Sequence, residues 1–292
     1  MTSNINDVNK AQSPVKGFSL YALSIFMLSV TDASAKWLTT GYPIGEIVFF
    51  RSIFSFLPLL FVAYKGRITL TYKSQNYKAN ILRAIVVVFT AVTFFISVKH
   101  LPLANATVLS LSNPFFMTLL GLLILKEKVS NLHWFFIFVG FLGVIISVGG
   151  LSSGSILYSF IGIISAFLYA IGGIVTRYLS RTDSAITIAL YTTSFLLLFS
   201  IFTIDYNWRM PNSYDLVIFF VMGLTGGLCN YIATSALSSI DVAKVAPLEY
   251  TIIIWAAFFG FFFFNETPNL YTIIGSIMII ASGIAHIHST KS

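Results

Sequence analysis

Residues 243–266 read AKVAPLEYTIIIWAAFFGFFFFNE, and residues 104–127 read ANATVLSLSNPFFMTLLGLLILKE. Each stretch runs from an alanine to a glutamate 23 positions later, and the later copy begins 139 positions after the earlier one in a chain of 292 residues. Each is as long as a membrane-crossing helix, which needs about 20 mostly apolar residues at a rise of about 1.5 Å per residue. Each also holds one internal proline, Pro114 or Pro247, with polar side chains beside it. One unit is written twice, and it is a membrane unit.

The rest of the chain follows the same rule. It is 57% hydrophobic and 9% charged with a mean hydropathy of +0.88, whereas about a quarter of the residues of a soluble domain are charged. Ten apolar runs are predicted as spanning helices, at 17–38, 45–64, 79–98, 103–125, 132–150, 157–178, 184–204, 215–237, 243–264 and 270–287. They are too long for barrel strands of about ten residues and lack alternating polarity. The predicted fold class is therefore all-α integral membrane with ten transmembrane helices. Residues 1–16 are polar, without the apolar core and cleavage site of a secretory signal, and are expected to form a disordered cytoplasmic tail. The single cysteine, Cys229, lies inside an apolar run, so no disulfide forms within the chain.

The net charge of +7 does not indicate nucleic acid, because the basic residues are scattered between apolar runs rather than gathered in a patch. Twelve of them fall on the side shared with the N-terminus, including Lys65, Arg67, Lys126, Lys128, Arg181 and Lys244. Three fall on the other, Lys36, Lys99 and Arg209. That asymmetry predicts that both termini are cytoplasmic.

The duplication extends beyond the opening pair. Lys36-Trp37-Leu38 ends the first span as Arg177-Tyr178-Leu179 ends the sixth, and Gly140 has Gly275 as its counterpart. The halves are expected at 17–151 and 152–288. Five spans is an odd number, so two homologous halves must cross the bilayer in opposite directions, as inverted repeats do in many secondary transporters.

With LPLANATVLSLSNPFFMTLLGLLILKEKVS, APLEYTIIIWAAFFGFFFFNE and YPIGEIVFFRSIFSFLPLL in this order and spacing, the chain resembles the drug/metabolite transporter superfamily, in its ten-span group of two EamA-type repeats. The resemblance runs nearly from Phe18 to His286. It implies a secondary carrier of the bacterial inner membrane that moves a small organic metabolite by alternating access. Within the group the motifs are similar to those of riboflavin and S-adenosylmethionine uptake carriers, and export of amino acids or drugs is the alternative. The implied partners are the metabolite and the lipid bilayer, with a homodimer left open and no cofactor.

Charge inside a bilayer is unfavourable enough that each intramembrane ionisable residue is a candidate for function. Asp32 and Arg51 lie at matching depths and are expected to pair. Glu249 and Arg83 form a second expected pair, against the plainer reading that Arg83 snorkels to the interface. Pro114 and Pro247 each remove a backbone donor within a span, so Asn113, Pro114, Pro247, Glu249 and Tyr250 mark the expected substrate cavity. Asn230, Tyr231 and Trp255 join them as polar or aromatic cavity candidates. Glu127 and Glu266, where apolar runs end, are expected to be structural and to accept hydrogen bonds at a helix start. Proton coupling through Asp32, Glu46 or Glu249 is a hypothesis of the same kind. The four histidines form no metal motif, and no nucleotide-hydrolysis signature is present. The rival, a membrane-embedded enzyme or assembly subunit, would need a catalytic cluster that this sequence does not offer.

Overall fold

The computed structural model describes residues 14–66, 70–125, 131–149, 153–203, 208–237 and 248–289. Among them there is no strand. The first half holds α1 (Pro14–Leu38), α2 (Ile44–Gly66), α3 (Tyr77–His100), α4 (Leu103–Ser110), α5 (Asn113–Leu125) and α6 (Asn131–Val148). After a 3₁₀ turn at Ser153–Ser155, the second half holds α7 (Ile156–Leu179), α8 (Ala185–Phe202), α9 (Ser213–Leu237), α10 (Thr251–Phe264) and α11 (Leu270–Ser289). Six described segments are long and apolar enough to cross a membrane, and α6, α10 and α11 contribute shorter apolar helices.

Three boundaries differ from the sequence expectation; within the span expected at 243–264, α10 starts only at Thr251, after a turn at Tyr250. Helix α1 already begins at Pro14, which shortens the expected tail of residues 1–16; proline suits a first helical turn, where its missing N–H has no acceptor to lose. The span expected at 103–125 is two helices rather than one kinked helix. Helix α4 stops at Ser110, and α5 starts at Asn113. Pro114 thus sits in the first turn of a new helix, where it breaks no hydrogen bond.

The pairings between the halves repeat in a pseudo-two-fold pattern. Helix α1 packs on α9 and α3 on α7, while α2 meets both α8 and α9 and α3 also meets α8. The remaining spans pair with their own counterparts, α4 with α10 and α6 with α11. The last pairing is the closest. A Cβ on Gly143 would lie 2.7 Å from the carbonyl oxygen of Gly275, so the two backbones touch. The repeat-equivalent glycines are used alike, Gly140 facing Ser282 and Gly275 facing Ser147. Small residues at such crossings let helices approach closely where no hydrophobic effect drives association.

Buried hydrogen bonds tie helices together within and between the halves. Asn105 of α4, 2% exposed, donates to the Ser147 carbonyl at 3.2 Å and to Thr272 Oγ1 at 2.8 Å. On the side of the α2–α3 connection, Asp183 accepts from Ser74 at 2.5 Å and from Asn80 at 2.6 Å. Phe258, Phe261, Phe262 and Phe263 of α10 are exposed and point away from the bundle. They are covering residues, not a binding box.

Candidate functional site

The centre of the bundle is built by residues from both halves. Tyr21 of α1 donates its hydroxyl to Glu249 Oε1 at 2.6 Å. Glu249 lies just before α10, and Tyr250 after it lays its ring on Gly283 of α11, a position where any side chain would collide with the phenol. Tyr169, midway along α7, lies within electrostatic reach of Glu249, Cys229, Arg83 and Asp32. Those neighbours come from separate elements around it, yet 54% of the Tyr169 surface is free of contact. Glu249 and Arg51 are likewise only partly covered. These groups therefore line an internal opening rather than a packed core.

Arg51 of α2 is held from two sides. Its guanidinium carbon lies 5.6 Å from the ring centre of Phe95 on α3. On the other side, a Cβ on Gly226 of α9 would be 3.3 Å from its Nε. Beside it, Thr31 and Thr225 join α1 to α9 through their hydroxyls at 2.8 Å. Asp32 follows on α1, 8% exposed and within electrostatic reach of Arg51 and Cys229. The expected Asp32–Arg51 contact is not made: among the described residues the ion pair within 4 Å is Lys36–Glu266.

The second expected pair is not formed either. Arg83 is 7% exposed and does not snorkel. Its Nε donates to Thr176 Oγ1 at 2.5 Å and its Nη1 to Thr192 Oγ1. Both hydroxyls donate onward to carbonyls of their own helices, Gly172 and Ile188, which turns their lone pairs towards the guanidinium. Similar depth suggests Glu249; azimuth around the bundle assigns Arg83 to α7 and α8 instead.

Other candidates are dispersed. Tyr231 packs with Leu59, Ala189 and Leu190 in a small cluster between α2 and α8. Asn230 beside it is engaged in a contact of its own. Trp255 meets Phe26 edge-on at 4.8 Å in the α1–α10 seam. Asn113 and Pro114 start α5, next to Phe115 stacked at 4.6 Å on Phe141. Among the described residues no hydrogen bond joins Asn113 to the central charges. Pro247 and Glu127 lie outside the described residues. Tyr21 was missed by the sequence reading, since nothing local distinguishes a tyrosine early in a first span.

Glu266 is reached by a turn that its neighbour makes possible. Asn265 adopts a left-handed conformation (φ 52°, ψ 32°), and its amide and that of Glu266 both donate to the Gly260 carbonyl. Asparagine tolerates this conformation better than other side chains. The turn carries Glu266 to the opposite half: Oε2 accepts from Leu103 N at 2.8 Å at the start of α4, and Oε1 pairs with Lys36 Nζ at 2.5 Å. Lys36 also donates to the Leu101 carbonyl at 2.6 Å. One carboxylate thus satisfies an unpaired amide of a helix start and neutralises a buried ammonium.

A sequence model of the EamA-like transporter family matches residues 15–149 and, a second time, residues 156–285. The chain belongs to the EamA-like transporter family. It is a multi-pass membrane protein of the drug/metabolite transporter superfamily with two EamA repeats. An S-adenosylmethionine uptake transporter of Rickettsia bellii is 28% identical over 98% of this chain and 98% of its own length. A protein of the same description from Rickettsia conorii is 29% identical over 98% and 97%. A pseudopaline exporter of Pseudomonas aeruginosa is 28% identical over 92% and 95%. A solved crystal structure only 13% identical superposes with a TM-score of 0.71 over 96% of this chain and all of its own, a likeness of fold.

The Lys36–Glu266 contact therefore ties the first EamA repeat to the second. Replacing Glu266 by glutamine would leave Lys36 buried without its counter-charge, and removing one partner of a buried pair is strongly destabilising. The expected outcome is a fall in detergent-extractable, monodisperse protein with unchanged substrate affinity in the fraction that folds. Normal abundance with altered selectivity would show instead that Glu266 belongs to the substrate path.

Proposed function

We propose that this EamA-family chain is a secondary transporter of the bacterial inner membrane. It takes up a ring-bearing small metabolite of the S-adenosylmethionine type by alternating access between its inverted halves. The observation that carries this reading is the central opening, where Tyr169 lies within electrostatic reach of Glu249. A carboxylate suits a sulfonium cation, and an aromatic face suits a planar base. End-to-end similarity to S-adenosylmethionine uptake transporters supports the same choice. The pseudo-two-fold pairing of spans supports alternating access, because each half can take the shape the other has just left.

Export is the second reading, favoured by comparable identity to the pseudopaline exporter. Uptake of labelled S-adenosylmethionine into cells expressing the chain decides between them. Accumulation above vector controls supports uptake; accelerated loss from preloaded cells supports export. In this reading the exposed apolar faces contact lipid, a homodimer would form through the same faces, and both termini are cytoplasmic. A reporter active only outside the cytoplasm should stay silent when fused after Ser292, and activity there would reverse the orientation. If protons drive uptake through Asp32 or Glu249, a protonophore should collapse accumulation in sealed vesicles.

A further inference from the structure

Two opposite charges stand at the centre of the bundle without taking each other as partners. Arg51 is clamped between the Phe95 ring and the bare backbone of Gly226. Among the described residues it makes no hydrogen bond and no ion pair within 4 Å. Asp32 makes none either. The hydroxyls beside it are committed elsewhere, Thr31 to Thr225 and to the Met27 carbonyl. Each charge feels the other, yet they form no ion pair within 4 Å.

Asp32 is 8% exposed and Arg51 partly covered, and a charge that a bound ligand cuts off from water without supplying a partner is strongly unfavourable. A lone anion would satisfy Arg51 and leave Asp32 isolated, and a lone cation would do the reverse. Both are relieved together by a ligand that carries an anion and a cation a few ångströms apart. We propose that Arg51 and Asp32 clamp the α-carboxylate and α-ammonium of an amino-acid head group, the zwitterionic end of the transported molecule. The proposal rests on the transporter reading above and names the subsite that selects its substrate. Asp32 is in electrostatic reach of Tyr169, and Tyr169 of Glu249. The rest of the substrate therefore extends from the clamp along Tyr169, with a positive centre near Glu249. Gly226 is a positioning residue, since a methyl group there would lie 3.3 Å from Arg51 Nε, close enough that the guanidinium must shift by a few tenths of an ångström.

The test is equilibrium binding to the purified full-length protein in detergent. The ligands are S-adenosylmethionine, S-adenosylhomocysteine, which keeps the head group, and decarboxylated S-adenosylmethionine, which keeps the sulfonium but lacks the carboxylate. The two ligands with an intact head group should bind, and loss of the carboxylate should weaken binding at least tenfold. Arg51→Lys should narrow that difference by weakening the zwitterions while sparing the decarboxylated compound, a pattern that general destabilisation would not produce. Gly226→Ala, which displaces the guanidinium without removing charge, should give the same pattern if Arg51→Lys fails to fold. Equal affinity for the parent and the decarboxylated compound in the unaltered protein would overturn the clamp. If no adenosyl compound binds, a panel of free amino acids and their amides separates the two ideas. Binding of amino acids but not amides keeps the clamp and removes the S-adenosylmethionine reading; binding of neither by folded protein overturns the clamp.

Discussion

Replacing Glu249 by glutamine is expected to lower uptake by up to about three orders of magnitude while leaving protein abundance unchanged. Glutamine keeps an oxygen to accept the Tyr21 hydroxyl, now at 2.6 Å, so the local hydrogen bond and the packing survive. Only the charge is lost. Two unit charges about 4 Å apart interact by about 4 kcal/mol at an effective dielectric constant of about 20, and about 1.4 kcal/mol is a factor of ten. Tyr21→Phe should be milder, about tenfold, because it removes one hydrogen bond to a charged acceptor. Initial uptake rates normalised to membrane abundance are the measurement. Normal transport by Glu249→Gln would remove Glu249 from the substrate path.

Introducing leucine at Gly143 or Gly275 is expected to abolish accumulation of folded protein. A Cβ on Gly143 already meets the Gly275 carbonyl at 2.7 Å and the Met278 Cβ at 3.1 Å, and neither neighbour can withdraw. Overpacking typically destabilises by about 1–3 kcal/mol and sometimes more; here the obstacle is backbone on both sides. The two single variants should be equally defective, and the double variant less than twice as bad, since they disrupt one shared contact. Gly41→Ala is the control, because nothing lies within 4 Å of its added carbon. Fluorescence-detected size-exclusion profiles should show aggregate or no peak for the first two and a normal peak for the third. Normal profiles for Gly143→Leu would mean that the α6–α11 crossing is not this tight in the membrane.

The helical membrane fold was legible because it depends on quantities that a sequence displays directly. Apolar run length sets what can cross a bilayer, and the alanine-to-glutamate recurrence displays the duplication. The position of the break in the fourth span was less legible. Pro114 drew attention to itself, but the helix had already ended at Ser110, and the proline only tolerates the restart. Side-chain pairing was least legible. Counting residues from a span end gives depth, and depth alone suggested Arg83 for Glu249. Which way a side chain points around the bundle depends on helix rotation, and that is set by contacts such as Gly143 on Gly275, more than a hundred residues apart. Tyr231 illustrates the same limit: it shares α9 with Cys229 yet turns to Leu59 and Leu190. The sequence shows Lys36 as a basic residue on the sparsely charged side and as part of the repeat, but not its pairing, because its partner Glu266 lies in the other half of the chain.

The interruption between Ser110 and Asn113 has a mechanical consequence. Helix α4 is bolted to Ser147 and Thr272 through Asn105 and to Glu266 through its first amide, whereas α5 leans on α7. An unbroken rod would transmit any tilt at one face of the bilayer to the other. Two separate levers meeting at a hinge of two residues, Leu111 and Ser112, do not. If the chain works by alternating access, such a break would let α5 tilt while α4 keeps its hydrogen bonds to Ser147, Thr272 and Glu266.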